Sequence, residues 1–160
     1  MTQDIKALVL DVDGTLTDGK IYMSENGEFM KAFCIKDGYA VARLQTHGIM
    51  PIIITGRVSK IVEHRCREMK IQQIYQGVED KNKKLEEVCV KLGISVSQCA
   101  YIGDDLNDLE CMRHCGYTAA PSDAVKEVRD YVDYVCKMRG GEGAVREFCD
   151  YLVNDLTKSK

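Results

Sequence analysis

Near the start of the chain, Lys6 to Asp11 (KALVLD) is a short apolar run that ends directly in the acidic cluster Asp11-Val12-Asp13. An unbroken apolar run this short, with no polar alternation, describes a strand covered on both faces, as in a parallel sheet flanked by helices. The pattern then recurs. Pro51 to Thr55 (PIIIT), Ile74-Tyr75 and Cys99 to Ile102 (CAYI) read as the second to fourth strands, and Tyr117–Ala119 and Val132–Val135 as further short ones. Val62, Cys66 and Met69 fall at helical spacing after the second strand, and Leu85, Val88, Cys89 and Leu92, closed by Gly93, after the third. A helix capped by Ser122 or Asp123 is expected before the last strand, and Val145, Phe148, Cys149, Leu152 and Leu156 mark a final helix. This alternation predicts an α/β fold, a doubly wound parallel sheet that binds ligands at the carboxyl ends of its strands.

One departure interrupts the alternation. From Gly19 to Ile35, the segments KIYM and EFMKAFCI flank the turn-forming Ser24-Glu25-Asn26-Gly27, which predicts a β-hairpin over residues 19–35. A helix is expected to start at Asp37-Gly38 and to stop at Gly48. With 160 residues and 45% of them hydrophobic, the chain suits one domain over 1–160, ending in a glycine-rich segment and helix over 139–160.

Composition narrows the partners. A net charge of -3 favours neither nucleic acid nor an anionic membrane, and no apolar run is long enough to span a bilayer. The N-terminus has no signal-peptide layout, so a cytoplasmic location is expected. The eight cysteines are scattered without a CxxC pair and read as reduced thiols packed as small hydrophobes. Cys111, His114 and Cys115 lie close together but lack a second ligand pair for zinc. His47, His64 and His114 sit in or beside expected helices and read as structural or exposed.

Chemistry gathers where the first four strands should end. Asp11-Val12-Asp13-Gly14-Thr15, Thr55-Gly56-Arg57, Lys81, and Gly103-Asp104-Asp105 with Asn107-Asp108 would meet at one edge. Carboxylates crowded together repel unless a divalent cation neutralises them, and an oxygen-rich set of this kind suits magnesium. A carboxylate can attack phosphorus once the phosphate charge is masked, and Asp11 is placed for that role. Asp13, two residues on in extended chain, would protonate the leaving oxygen and then activate water. Thr55 offers a hydroxyl and Lys81 a positive charge to the phosphoryl oxygens, with Asp104 in the metal site and Asp105 or Asp108 supporting it.

Together DVDGT, the Thr-Gly after PIII, the lysine and GDDLND resemble the haloacid dehalogenase superfamily over nearly the whole chain. The resemblance implies a phosphatase with Asp11 as nucleophile, Asp13 as acid and base, and Mg2+ held by Asp11, the Asp13 carbonyl and Asp104. No stretch is long enough for an inserted cap domain. The chain therefore resembles the capless branch that holds the 3-deoxy-D-manno-octulosonate 8-phosphate (KDO 8-phosphate) phosphatases and their nine-carbon ketosugar acid relatives, KDN or N-acylneuraminate 9-phosphate phosphatases. Thr17-Asp18-Gly19, Asp37-Gly38-Tyr39, Tyr75-Gln76-Gly77 and the run Arg139 to Glu147 carry that likeness. Arg57, where the nine-carbon relatives tend to carry Glu, and Glu68, where they carry a basic residue, favour the eight-carbon substrate. Arg57 and Arg65 are expected partners for the sugar carboxylate. The branch also implies a homotetramer built on the hairpins, in which a neighbour's elements cover each site. With no cap insertion, the flexible glycine-rich Arg139–Gly143 is expected to help cover a substrate site, that of a neighbouring subunit included. A non-catalytic oligomerisation or binding module is the rival reading, since similar domains are fused to sugar-activating enzymes.

Overall fold

The computed structural model describes residues 4–158, with side chains described as far as Asp155. Strand β1 (Ala7–Leu10) leads into a hairpin of β2 (Tyr22–Ser24) and β3 (Gly27–Met30). Helix α1 (Ile35–Leu44), β4 (Met50–Ile54), α2 (Lys60–Glu68), β5 (Gln73–Tyr75), α3 (Lys81–Leu92) and β6 (Cys99–Ile102) follow. The chain closes with α4 (Leu106–Met112), β7 (Tyr117–Ala120), α5 (Lys126–Tyr131), β8 (Tyr134–Val135) and α6 (Ala144–Lys158).

Six strands form one sheet in the order β5-β4-β1-β6-β7-β8, every pairing parallel. The strand period of two sends successive apolar residues to opposite faces. Leu8, Leu10, Ile53 and Ile102 pack with α1, α2 and α6, while Ala7, Val9, Ile52, Ile54 and Tyr101 pack with α3, α4 and α5. Both faces are covered, which is why these strands read as continuous apolar runs. The register places Leu10 between Ile53 of β4 and Ile102 of β6. Residues just past those three therefore emerge side by side at one edge.

The structure departs from the sequence expectations in a few places. Helix α1 begins at Ile35, so Asp37 lies inside its first turn, and a 3-10 turn (Gln45–His47) precedes Gly48, which takes φ 77° as the stop. Helix α5 begins at Lys126 behind Val125 and has no side-chain cap. The Asp123 carboxylate, which looks like a cap, instead accepts the Gly140 amide at 2.9 Å, and the Ser122 backbone amide donates to the Met138 carbonyl, so both residues are tied to the 138–140 segment. The last strand is only Tyr134–Val135, and α4 was not anticipated. Leu156 lies outside the described side chains. All eight cysteines are free, and the three histidines are exposed. No helix among the described residues is long and apolar enough to cross a membrane.

Candidate active site

Asp11 follows β1 directly, its amide held by the Ile102 carbonyl of β6 at 3.1 Å. The chain then turns back, with the amides of Thr15, Leu16 and Thr17 all donating to the Val12 carbonyl. Gly14 makes this possible: its φ is 92°, and a Cβ there would lie 2.0 Å from Oδ2 of Asp104. A side chain at this position would force Asp104 away from Asp11. Asp104 leaves the end of β6 and accepts the Thr15 hydroxyl at 3.1 Å, which ties the two acidic loops together.

Beneath them lies a buried hub. Lys81, at the start of α3 and 4% exposed, donates from Nζ to Oδ1 of Asp11 and to Oδ1 of Asp108, both at 2.7 Å. Asp108 also accepts the Tyr101 hydroxyl at 2.8 Å and, through Oδ2, the amides of Asp104 and Asp105 at 3.1 and 3.3 Å. Burial and the Asp108 charge push the Asp11 carboxyl up to about 6 despite Lys81. Burial, with Asp11 and Asp108 nearby, pushes Asp104 up to about 8. Burial alone would lower Lys81, but the two carboxylates outweigh it and hold the ammonium charged.

Asp11, Asp104 and Asp108 each bring a carboxylate oxygen within 4.8 Å of the other two. Asp108, however, spends both oxygens on four donors, so Asp11 and Asp104 are the carboxylates left to bind a cation. Burial and neighbouring carboxylates both disfavour the charged forms of Asp11 and Asp104, and a hard divalent ion would relieve that cost. Magnesium keeps several of its own waters and needs only one or two carboxylates, so the donor set fits it. The Asp13 carboxylate does not join this group: Lys31 and Arg57 engage it instead.

A cleft of about 190 Å³ opens over Asp11, lined also by Asp13, Thr55, Gly56, Arg57, Asp105 and Asn107. Of the residues singled out in the sequence, Asp11, Asp13, Thr55, Gly56 and Arg57 line the cleft, and Lys81 and Asp104 stand beneath and beside Asp11. Arg65 does not line it. Its guanidinium donates to the Cys34 carbonyl at 3.3 Å, pairs with Glu68 at 3.0 Å and lies over the Phe33 ring, clamping the exit of the hairpin. Glu68 is thereby occupied on the outside of α2. Nor does Arg139–Gly143 line the cleft. The segment backs the loop that follows Asp11: the Gly141 amide donates to the Thr15 carbonyl at 3.1 Å, and a Cβ on Gly140 would stand 1.9 Å from the Gly14 carbonyl oxygen. Sequence reading missed Lys31, Glu28, Ser59 and Tyr101, whose roles depend on folding that joins distant segments.

Residues 67–148 match the family described as haloacid dehalogenase-like hydrolase. The chain belongs to this family. Within it, the chain is 44% identical over 151 residues to 3-deoxy-D-manno-octulosonate 8-phosphate phosphatase KdsC of Escherichia coli K12, covering 94% of this chain and 80% of that one. The phosphatase of that name from Moraxella catarrhalis, solved with a magnesium ion, a phosphate ion and a KDO molecule, superimposes with a TM-score of 0.92 at 40% identity, over 99% of this chain and 92% of its own. The cobalt-bound enzyme of Haemophilus influenzae gives a TM-score of 0.94 at 35% identity, again over 99% and 92%.

Proposed function

We propose that this chain is a magnesium-dependent phosphatase of 3-deoxy-D-manno-octulosonate 8-phosphate. One observation carries the reading: Asp11 is a buried carboxylate at the floor of a small cleft, with Lys81 fixed to it at 2.7 Å and the carboxylate of Asp104 beside it. The likeness to phosphatases of that name extends over almost the whole chain.

In this reading an Asp11 oxygen attacks phosphorus, the ester bond to the sugar oxygen breaks, and Asp13 gives that oxygen its proton. The resulting aspartyl phosphate is hydrolysed when Asp13, now a base, takes a proton from the attacking water. Free Asp11 and inorganic phosphate result. Asp11, Asp104 and the Asp13 carbonyl would hold magnesium, whose charge masks the phosphoryl oxygens. The Lys81 ammonium and the Thr55 hydroxyl support the same oxygens. Arg57, 47% exposed on the cleft wall, is the partner for the sugar carboxylate.

The cleft is open and has no cap, so cover must come from elsewhere. Tyr22, Met23, Phe29 and Met30 expose apolar side chains on the hairpin, at 38%, 65%, 69% and 46%. Such a patch favours self-association, and the assembly is a homotetramer in which neighbours close the cleft. Eight free thiols suit a reducing cytoplasm.

Steady-state hydrolysis of the eight-carbon ester beside N-acylneuraminate 9-phosphate, with magnesium, tests the assignment. A preference of about tenfold or more in kcat/KM for the eight-carbon ester is expected. A preference for the nine-carbon ester would overturn it. Sedimentation of the wild type and of a Phe29→Lys variant tests the assembly, which the charge should disrupt.

A further inference from the structure

The residue after β3, Lys31, lies on an otherwise exposed hairpin, yet its side chain is 0% exposed. An ammonium taken out of water costs several kcal/mol unless it finds paired, hydrogen-bonded partners. Lys31 has two. Nζ donates to Oδ1 of Asp13 and pairs with Oε2 of Glu28 at 3.0 Å. Glu28 in turn accepts the Ser59 hydroxyl and lies 3.5 Å from the Arg57 guanidinium. Ser59 caps α2. A continuous line of polar contacts thus runs from the start of α2 through Glu28 and Lys31 to one oxygen of Asp13.

The two oxygens of Asp13 are treated unequally. Oδ1 is held by the buried ammonium, whereas Oδ2 has the Arg57 Nε at 3.7 Å, beyond hydrogen-bonding distance, on the wall of the cleft. An aspartate side chain has two rotatable bonds, and one fixed contact at Oδ1 stops it from swinging. A lysine serving only to fill the core would be a poor choice there, because an apolar side chain of similar volume is often as stable or more so.

We propose that Lys31 is a positioning residue for the reaction, pinning Oδ1 of Asp13 so that Oδ2 stays where the leaving oxygen needs a proton. This rests on the assignment of Asp13 as acid and base. The lysine also links that carboxylate to the hairpin, so hairpin docking and proton delivery share one contact.

The leaving group supplies the test. A sugar alkoxide needs a proton as it departs, whereas 4-nitrophenolate leaves without one. The value of kcat/KM reports the steps up to phosphoryl transfer onto Asp11, before water enters. For Lys31→Met, kcat/KM on the sugar phosphate should fall about 10²-fold, while that on 4-nitrophenyl phosphate should fall about threefold or less. An equal loss on both esters, or no loss on either, overturns the proposal. Should Lys31→Met fail to fold by circular dichroism, Lys31→Arg and Lys31→Gln carry the same comparison: the arginine, which keeps the charge, should show the smaller leaving-group difference, and equal losses on both esters would again overturn it. If the wild type rejects the octulosonate ester, the substrate assignment fails, yet the comparison still runs on any sugar phosphate that it does hydrolyse.

Discussion

Two buried aspartates show how little burial alone decides. Asp108, under the catalytic edge, is 0% exposed, and Asp37, between α1 and α6, is 1% exposed. Asp108 is filled on both oxygens, by the Lys81 ammonium, the Tyr101 hydroxyl and two backbone amides. Asp37 takes the Arg146 amide on Oδ1 at 2.7 Å, but among the described residues its Oδ2 and the nearby Nε of Arg65 have no hydrogen-bond partner. Burial pushes Asp37 up to about 6, with the Arg146 and Gly143 amides and the charges of Arg65 and Arg146 pulling back. A complete donor set turns a buried carboxylate into a rigid hub that aims its neighbours. An incomplete one leaves a group able to take up a proton near neutral pH.

The largest effect expected from this contrast concerns the carboxylates that the hub leaves unfilled. With Asp11 and Asp104 in need of a cation, EDTA should abolish turnover and added magnesium should restore it. Full activity in excess chelator would mean that the edge is electrostatically complete by itself. Breaking the hub comes next. Asp108→Leu leaves the buried Lys81 ammonium with Asp11 alone and strips a hydroxyl and two amides of their acceptor, so urea unfolding should show a loss of about 3–5 kcal/mol. A smaller loss than for Asp37→Asn would reverse the comparison.

A milder test acts on the loop from behind. Gly140→Ala puts a methyl group against the Gly14 carbonyl and should cost about 1–3 kcal/mol of stability, lowering kcat more than it raises KM. The smallest effect belongs to Asp37. Because its folded pKa is raised from an ordinary 3.8 to about 6, the folded state binds the proton more tightly than the unfolded one. The stabilising contribution of protonated Asp37 should therefore be lost as pH climbs from about 4 to beyond 6, by on the order of 2 kcal/mol, on top of the losses from Asp11 and Asp104, which are raised in the same direction. Urea midpoints across that range should fall for the wild type and stay flatter for Asp37→Asn. A wild-type midpoint that rose with pH would contradict the sign.

The contrast also explains what could be read before the structure. Asp11, Asp13, Thr55, Lys81 and Asp104 sit in short local motifs at the ends of apolar runs, and parallel register gathers such ends without further information. Asp108 was legible only as support, since its partners Tyr101 and Lys81 come from β6 and α3. Lys31 looked like any lysine at the end of an exposed hairpin. Its burial arises when Glu28 and Ser59 draw the hairpin onto the cleft, a contact between segments about thirty residues apart. Arg65 lies away from the cleft, and a basic residue in the last turn of a helix gives no sign in the local sequence of which loop it will clamp. Ser122 and Asp123 resembled a cap for the same reason: the 138–140 backbone that claims them is invisible in the local sequence.

The central claim is that Asp11 carries the phosphoryl group. The most direct measurement compares wild type and Asp11→Asn with magnesium on the octulosonate ester, alongside urea unfolding of both. An amide keeps the size of the side chain but removes the nucleophile, so turnover should fall by about 10⁴-fold or more while the protein remains folded. A folded variant that retained activity within about tenfold of wild type would contradict nucleophilic attack by Asp11.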